Sequence, residues 1–231
     1  MTPTVGLALA TLAFVGTHLA MSHPLRAALV ARLGERGFLG LYSLVSFATL
    51  GWMILVWRGT VASEPLWLAP PWWWPLASAL MLIASILLVG SLLGNPAFPN
   101  PGAGAREIPP PRGVFAITRH PMNNSFILWA LVHISLLGSA RNLIVAGGIL
   151  ILAVAGSIGQ DRKKARLLGE PWRGWQAQTS FLPFAALTRG RARWRAAFPG
   201  WIALTGGVAL WALVTSYHAP TVSPLGDLLS R

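Results

Sequence analysis

The 231-residue chain is 54% apolar and only 10% charged, whereas soluble domains carry roughly 25% charged residues, so the composition predicts one membrane domain over residues 1–231. There is no cysteine, which excludes disulfides, thiolate metal sites and a thiol nucleophile. A formal charge of +12 would suit nucleic-acid binding, but the apolar runs between the basic clusters are long enough to span lipid, and no nucleic-acid partner is expected.

Six apolar stretches approach the length that a membrane-spanning helix needs, which is roughly 20 residues. They predict an all-α fold, an integral membrane bundle of about six transmembrane helices. The fourth stretch is the shortest, and it could begin upstream near Val114 if the segment before Pro121 enters the membrane. In chain order the predicted spans are Thr4–Ser22, Phe38–Trp57, Trp73–Gly94, Asn123–Gly138, Asn142–Gly159 and Phe198–His218.

The basic residues are divided unequally between the two sides of this bundle. Of the 18 Lys and Arg residues, all but Arg58, Arg141 and Arg231 fall in the connections after the first, third and fifth spans. Because cytoplasmic loops collect Lys and Arg, both termini are predicted outside the cytoplasm, in a bacterial-type inner (plasma) membrane. The clusters at 161–166 and 189–195 predict contact with anionic lipid headgroups, although a pure topology signal would look the same.

Two histidines lie within the predicted spans, His18 in the first and His133 in the fourth. An ionisable side chain is expensive in lipid, and two imidazoles on facing helices can hold a haem b iron axially. His18 and His133 are therefore candidate metal ligands, with a hydrogen bond across helices as the alternative for each. At 1.5 Å rise per residue they lie about 6 Å and about 16 Å from the cytoplasmic helix ends, so a tilt or a deeper fourth helix would be needed to bring them level.

Arg119 and His120 form a second group of candidate binding residues, and Pro121 follows them at the cytoplasmic entrance of the fourth span. His23 lies at the corresponding end of the first span. Arg and His together can bind a phosphate or a carboxylate, since Arg offers a bidentate fork. The segment could equally be a helix start with a snorkelling Arg and proline in the first turn. None of the six acidic residues falls within a span, so carboxylate-bridged metal clusters are not expected.

Several short segments recur in the order known from one family of membrane proteins. They are His18 with Pro24–Arg26, Leu33–Phe38, Leu41–Ser46, Arg119–Pro121, Trp129–His133, Gly159–Arg162 and Thr179–Phe184. Taken together, these segments resemble the NnrU family. The similarity covers about residues 5–187, so we predict an NnrU-like region at 1–187 and an additional C-terminal transmembrane helix at 198–218 beyond it.

The resemblance implies a function as well as a fold. Members of the family include proteins associated with nitrite and nitric oxide reduction, and the 15-cis-ζ-carotene isomerases. The isomerases imply a haem b enzyme acting on a lipid-soluble polyene, an apolar small molecule that enters from the bilayer. Their implicated ligands match His18 and His133, and His120 matches the Arg-His-Pro position. One departure is Ala130, where those isomerases carry a cysteine, so thiol-based ligand exchange has no residue here.

Two alternatives remain. The same region resembles isoprenylcysteine-type membrane methyltransferases, which share Arg-His-Pro and a later segment similar to Gly169–Trp175, and which imply S-adenosylmethionine bound near Arg119 and His120. Against that resemblance, Met122–Ser125 lacks the expected aromatic-x-Gly, and the Glu-Glu pair is missing. The other alternative is a non-catalytic accessory protein of nitrite or nitric oxide reduction.

Overall fold

The computed structural model describes residues 2–61, 63–98 and 108–218, and within these ranges the chain is helical and forms no strand, which confirms the all-α prediction. A single isolated bridge pairs Leu68 with Leu137. The helices are α1 (Pro3–Ser22), α2 (Arg26–Gly59), α3 (Trp73–Ser91), α4 (Val114–Ile117), α5 (Pro121–Leu136), α6 (Ala140–Leu168), α7 (Glu170–Gln178), α8 (Ala185–Thr188) and α9 (Trp201–His218), with a 3-10 turn at Trp194–Ala197.

Apolar helices lie at all six predicted places, namely α1, α2, α3, α5, α6 and α9. Four of them, α1, α2, α3 and α6, are long and apolar enough to cross a membrane by length and composition. The other two are shorter: α5 has 16 residues, and the apolar run of α9 is Trp201–Tyr217. The prediction of a membrane helix bundle is therefore confirmed. The sequence also predicts that both termini lie outside the cytoplasm. This prediction concerns, in part, Met1 and residues 219–231, which lie outside the described residues.

Two helices extend beyond their predicted spans. α2 begins at Arg26 rather than Phe38, and Gly34 interrupts it with φ 70 and ψ 169, a conformation that suits glycine. α6 continues past Gly159 to Leu168. Both extensions are rich in basic residues, which is why hydropathy alone excluded them from the spans.

The apolar helices pack as a row of neighbours. α1 contacts α2 and α6, α6 also contacts α5, α5 contacts α3, and α3 contacts α9. Thus α1 and α5 both pack extensively against α6, but they do not pack extensively against each other. Helices α1 and α6 end at the same side of the bundle at which α2 and α5 begin, and we call this side the basic end. We call the opposite side the tryptophan end. There, Trp67 Nε1 donates a hydrogen bond to the carbonyl of Ile134 at 2.9 Å.

A small apolar core closes the basic end below the row of helices. Val114 and Phe115 of α4 pack with Leu87 of α3 and with Trp172 and Trp175 of α7, and all five are buried. Burying aromatic side chains of this size removes much apolar surface from water, so α7 and α4 form one packed unit under α3.

Candidate functional site

His18 packs against α2. Its Nδ1 lies 3.3 Å from the hydroxyl of Ser46, and its ring centroid is 5.0 Å from that of Phe14 and 4.9 Å from that of Tyr42. Tyr42 in turn accepts a hydrogen bond from Ser22 at 3.2 Å. The imidazole is therefore held by a hydroxyl and two aromatic rings between the first two spans, which is the cross-helix arrangement expected of a packing histidine.

His133 faces the other side of the bundle. Its Nδ1 lies 2.8 Å from the carbonyl oxygen of Trp129, one turn earlier in α5, and its ring lies 4.4 Å from the Trp129 ring. Asn142 of α6 donates to the carbonyl of His133 at 2.8 Å, which fixes the last turn of α5. The side chain lines a cavity that α5 shares with α3 and α9, where Ser85 and Trp211 also contribute.

The structure places His18 and His133 in different surroundings. His18 lies about 6 Å from the basic end of α1, and His133 lies about 18 Å from the basic end of α5, at 1.5 Å per residue. Their partners differ as well, because His18 contacts α2 while His133 borders α3 and α9. The two rings therefore lie against different neighbouring helices, and joint ligation of one iron by both histidines stays a prediction. Among the described residues there is also no group of three or more His, Asp and Glu side chains that could hold a metal ion.

Arg119 and His120, in contrast, are brought together by Asp161. Arg119 Nε and Nη2 each lie 2.8 Å from Asp161 Oδ2, and His120 Nε2 lies 2.9 Å from Oδ1. The other ring nitrogen, Nδ1, lies 3.2 Å from Gln160 Oε1. Asp161 lies beyond the predicted fifth span. Burial alone would raise the pKa of Asp161, but the hydrogen bonds and charges of His120 and Arg119 outweigh it and hold the pKa below its ordinary value.

The backbone around this ion cluster is fixed by buried hydrogen bonds. Thr118 donates through Oγ1 to the carbonyl of Phe181 at 2.7 Å and accepts from Asn124 Nδ2 at 3.0 Å. The amide of Arg119 donates to the carbonyl of Ser180 at 2.8 Å. His120 itself is 3% exposed and starts α5, where the missing donor of the following proline costs nothing. The segment is therefore rigid and bound to the chain that follows α7.

Sequence reasoning missed the role of Asp161. In the sequence, Asp161 belongs to the basic cluster at 161–166, which predicts contact with lipid headgroups and not a pairing with Arg119 and His120. The one signal of its role in the sequence is that Asp161 lies in the Gly159–Arg162 motif. On α6, the polar side chains of Ser157, Gln160 and Asp161 face α5, and Ser157 accepts from Asn123 at 2.8 Å.

The contacts of Arg119 bear on the methyltransferase alternative. That alternative needs Arg119 and His120 to bind a ligand carboxylate, but Asp161 supplies the carboxylate from within the chain. Trp172 and Trp175, from the segment that resembles those enzymes, are buried in the core under α3. No contact in the described residues favours S-adenosylmethionine here.

Comparison with known proteins identifies the family. The model of the family described as NnrU protein matches residues 6–224, most of the chain. The chain belongs to the NnrU family. The match continues past residue 187, where the resemblance in the sequence motifs ended, and it includes α9.

Two relatives of this NnrU-family chain are plant enzymes. It is 33% identical over 79 residues to the chloroplastic 15-cis-zeta-carotene isomerase of Arabidopsis thaliana, which is 34% of this chain and 22% of that protein. It is 30% identical over 81 residues to the enzyme of the same name from Zea mays, which is 35% of this chain and 22% of that protein. The similarity thus spans about a fifth of each isomerase. No solved structure gives a significant match to the NnrU-family chain.

Proposed function

We propose that this NnrU-family protein binds a lipid-soluble polyene beside His133 and isomerises one of its double bonds, with haem b as the cofactor and His133 as the protein ligand of the iron. The proposal takes its reaction class from the two isomerases to which the chain is similar. The observation that carries it is the apolar cavity between α3, α5 and α9, which His133 lines.

The cavity suits an apolar chain. Its walls include Ala77 and Met81 of α3, Val132 of α5 and Val214 of α9, and its volume is about 60 Å³. A space of that size takes only a short segment of a polyene and no haem, so both molecules would lie mainly at the open side of the cavity, against lipid at the surface of the bundle. Because little polar surface lines the cavity, a polyene that moves into it from lipid would deprive few polar groups of the protein of a hydrogen-bond partner.

We assign one histidine ligand, His133, because its Nδ1 contacts a backbone carbonyl, whereas the second ligand predicted from the sequence, His18, lies against α2. A carbonyl only accepts, so the contact with Trp129 places a hydrogen on Nδ1 of His133, and ligating imidazoles commonly donate their other ring nitrogen to a backbone carbonyl in this way. His18, held between Phe14 and Tyr42, has a packing role instead. When bound, haem b supplies an iron centre that exchanges electron density with a conjugated double bond and lowers its bond order.

The residues of the chain position and shield this chemistry. Trp129 and Asn142 hold the ring and the backbone of His133, respectively. Trp211 donates to Ser78 at 3.2 Å and so closes α9 onto α3 at the cavity. These contacts keep water away from the bound polyene and fix the orientation of the imidazole.

The test is the absorption spectrum of detergent-purified protein, with and without dithionite, from cells supplied with ample haem. We expect a Soret band that is lost in His133→Ala and retained in His18→Ala, which serves as the matched control. Conversion of 15-cis-ζ-carotene, followed by chromatography of its isomers, should follow the same pattern. Colourless wild-type protein would overturn the haem assignment, and equal loss of the band in both variants would overturn the single-ligand site.

A further inference from the structure

A second and larger cavity lies at the basic end, in a groove between the end of α1, the start of α2 and α6. Its volume is about 840 Å³, far more than the cavity beside His133. Leu19 and Ala20 of α1 and Ala155 and Ile158 of α6 form its apolar floor. The floor is continuous with the apolar spans, so the groove runs from the membrane-facing part of the bundle into its basic end.

The rim of the groove is basic. His23, Arg26, Arg162, Lys163 and Arg166 line it, and no acidic residue does. Arg26 pairs with Glu35, but among the described residues none of Arg162, Lys163 and Arg166 takes part in an ion pair. Asp161, the acidic residue next to these cations in the chain, already pairs with Arg119 and His120 on another face of α6.

The cations of the rim are close enough to perturb one another. Burial, followed by the charges of Arg26 and Lys164, lowers the pKa of Lys163 to about 8 against the opposing effect of Glu35. Burial, followed by the charges of Lys163 and Arg166, lowers the pKa of His23. In both cases neighbouring cations contribute beside burial, and an anion in the groove would relieve that part of the effect.

Glycine at 159 makes the groove possible. A Cβ at this position would lie 2.3 Å from Nε2 of His23, so the His23 ring lies directly on the backbone of α6. The close approach closes one end of the groove and places an imidazole beside the basic rim.

We propose that the groove binds one anionic phospholipid, with the headgroup phosphate among Arg26, Arg162, Lys163 and Arg166 and an acyl chain along the apolar floor. The pattern of charge and apolar surface is that of the ligand: a cationic rim at one end and a hydrocarbon floor leading toward the membrane. A soluble phosphate would match only the rim. A second protein would meet a recess rather than a flat apolar patch. The site is separate from the His133 cavity, so it does not depend on the proposed isomerase.

The proposal can be tested by counting bound lipid. Protein in detergent is titrated with phosphatidylglycerol or, separately, with phosphatidylcholine, and native mass spectrometry counts the adducts. We expect one phosphatidylglycerol to be retained in preference to phosphatidylcholine. The triple variant Arg162→Gln, Lys163→Gln, Arg166→Gln should bind it at least about tenfold more weakly, since each basic residue near an anionic headgroup contributes about 1 kcal/mol, while each 1.4 kcal/mol is tenfold.

A matched control has the same loss of charge elsewhere. Arg189→Gln, Arg193→Gln and Arg195→Gln remove three positive charges from exposed positions outside the groove, and we expect binding within about twofold of the wild type. Ala155→Phe fills the floor without changing the charge and should also abolish retention. Melting temperatures of all variants separate loss of the site from loss of the fold, and single variants replace any triple that does not fold.

Three outcomes would overturn the proposal. Equal weakening by the two triple variants would mean general surface attraction. Full retention in Ala155→Phe would mean that the acyl chain does not use the floor. Competition by glycerol phosphate at the same concentration as phosphatidylglycerol would mean that the rim takes a free anion.

Discussion

Nε2 of His120 lies 2.9 Å from Oδ1 of Asp161, while Arg119 contacts the other oxygen of the same carboxylate at 2.8 Å. One carboxylate of α6 thus holds two side chains at the start of α5. The side chains of Arg119 and Asp161 are 17% and 16% exposed, so the cluster is largely removed from water. Its contribution to folding can be measured by removing the shared acceptor.

Replacing Asp161 by Asn should destabilise the protein strongly. The amide keeps the shape of the carboxylate but leaves the Arg119 guanidinium without its counter-charge, and breaking a buried ion pair in this way costs about 3 kcal/mol. Denaturant titration in detergent, followed by tryptophan fluorescence, measures the change in the free energy of unfolding. The matched control is Glu170→Gln, which breaks the exposed ion pair with Arg173 and should cost less than about 1 kcal/mol. Similar losses in the two variants would contradict the structural role of Asp161.

The same carboxylate makes stability depend on pH in the acid range. The folded pKa of Asp161 is below its ordinary value, about 3.9, so the unfolded chain binds more protons there and stability falls as pH drops through the folded pKa. The contribution is fully present above the ordinary value. We expect the slope of unfolding free energy between about pH 5 and pH 3 to be shallower in Asp161→Asn. An unchanged slope would assign the acid loss to other carboxylates.

Gly207 should tolerate alanine poorly, and its neighbour Gly206 better. A Cβ at Gly207 would lie 2.7 Å from the Cα of Ile86, so α3 and α9 would have to separate. At Gly206 the nearest atom is a side-chain methyl of Val89, at 3.0 Å. We expect Gly207→Ala to lower the free energy of unfolding by about 1–3 kcal/mol, the usual effect of overpacking. A Cβ at Gly147 would have no atom within 4 Å, so Gly147→Ala is the control and should not destabilise the protein. The ranking fails if Gly207→Ala is as stable as Gly147→Ala.

Retention of phosphatidylglycerol in the basic groove should weaken as pH rises above about 8, where Lys163 loses its charge. The groups that face Lys163 are His23 from α1, Arg26 and Glu35 from α2, and Arg162, Lys164 and Arg166 from α6. Since the pKa of His23 is lowered from 6.5, His23 is already neutral at that pH. A bound phosphate raises the pKa of Lys163, so the midpoint of the loss should lie above 8.

The control for this pH effect is to change one lysine at a time. Lys163→Arg keeps the charge and should retain lipid to about pH 9.5, because Arg does not titrate there. Lys164→Arg, outside the groove lining, should fall as the wild type does. The same fall in Lys163→Arg would assign the titration to another group.

The sequence predicted the spans well and the sites only in part. Hydropathy located six apolar helices because lipid excludes uncompensated polarity, but it could not show that the charged start of α2 and end of α6 are also helical. Composition showed that His18 and His133 lie in spans, and not which neighbours they face. That depends on which helices pack together: α1 packs against α2 and α6, and α5 against α3 and α6. The pairing of Asp161 with Arg119 and His120 joins residues 42 and 41 positions apart, and only packing reveals it.

Asp161 and Arg162 are consecutive residues on different faces of one helix, the first paired with Arg119 and the second lining the basic groove. A turn of α6 about its own axis cannot move the guanidinium in the groove without also moving the carboxylate that grips the start of α5. A lipid bound in the groove as proposed would therefore act on both faces of α6, so a preparation stripped of acidic lipid and one that retains it should be compared before any spectrum or turnover is assigned to the sequence alone.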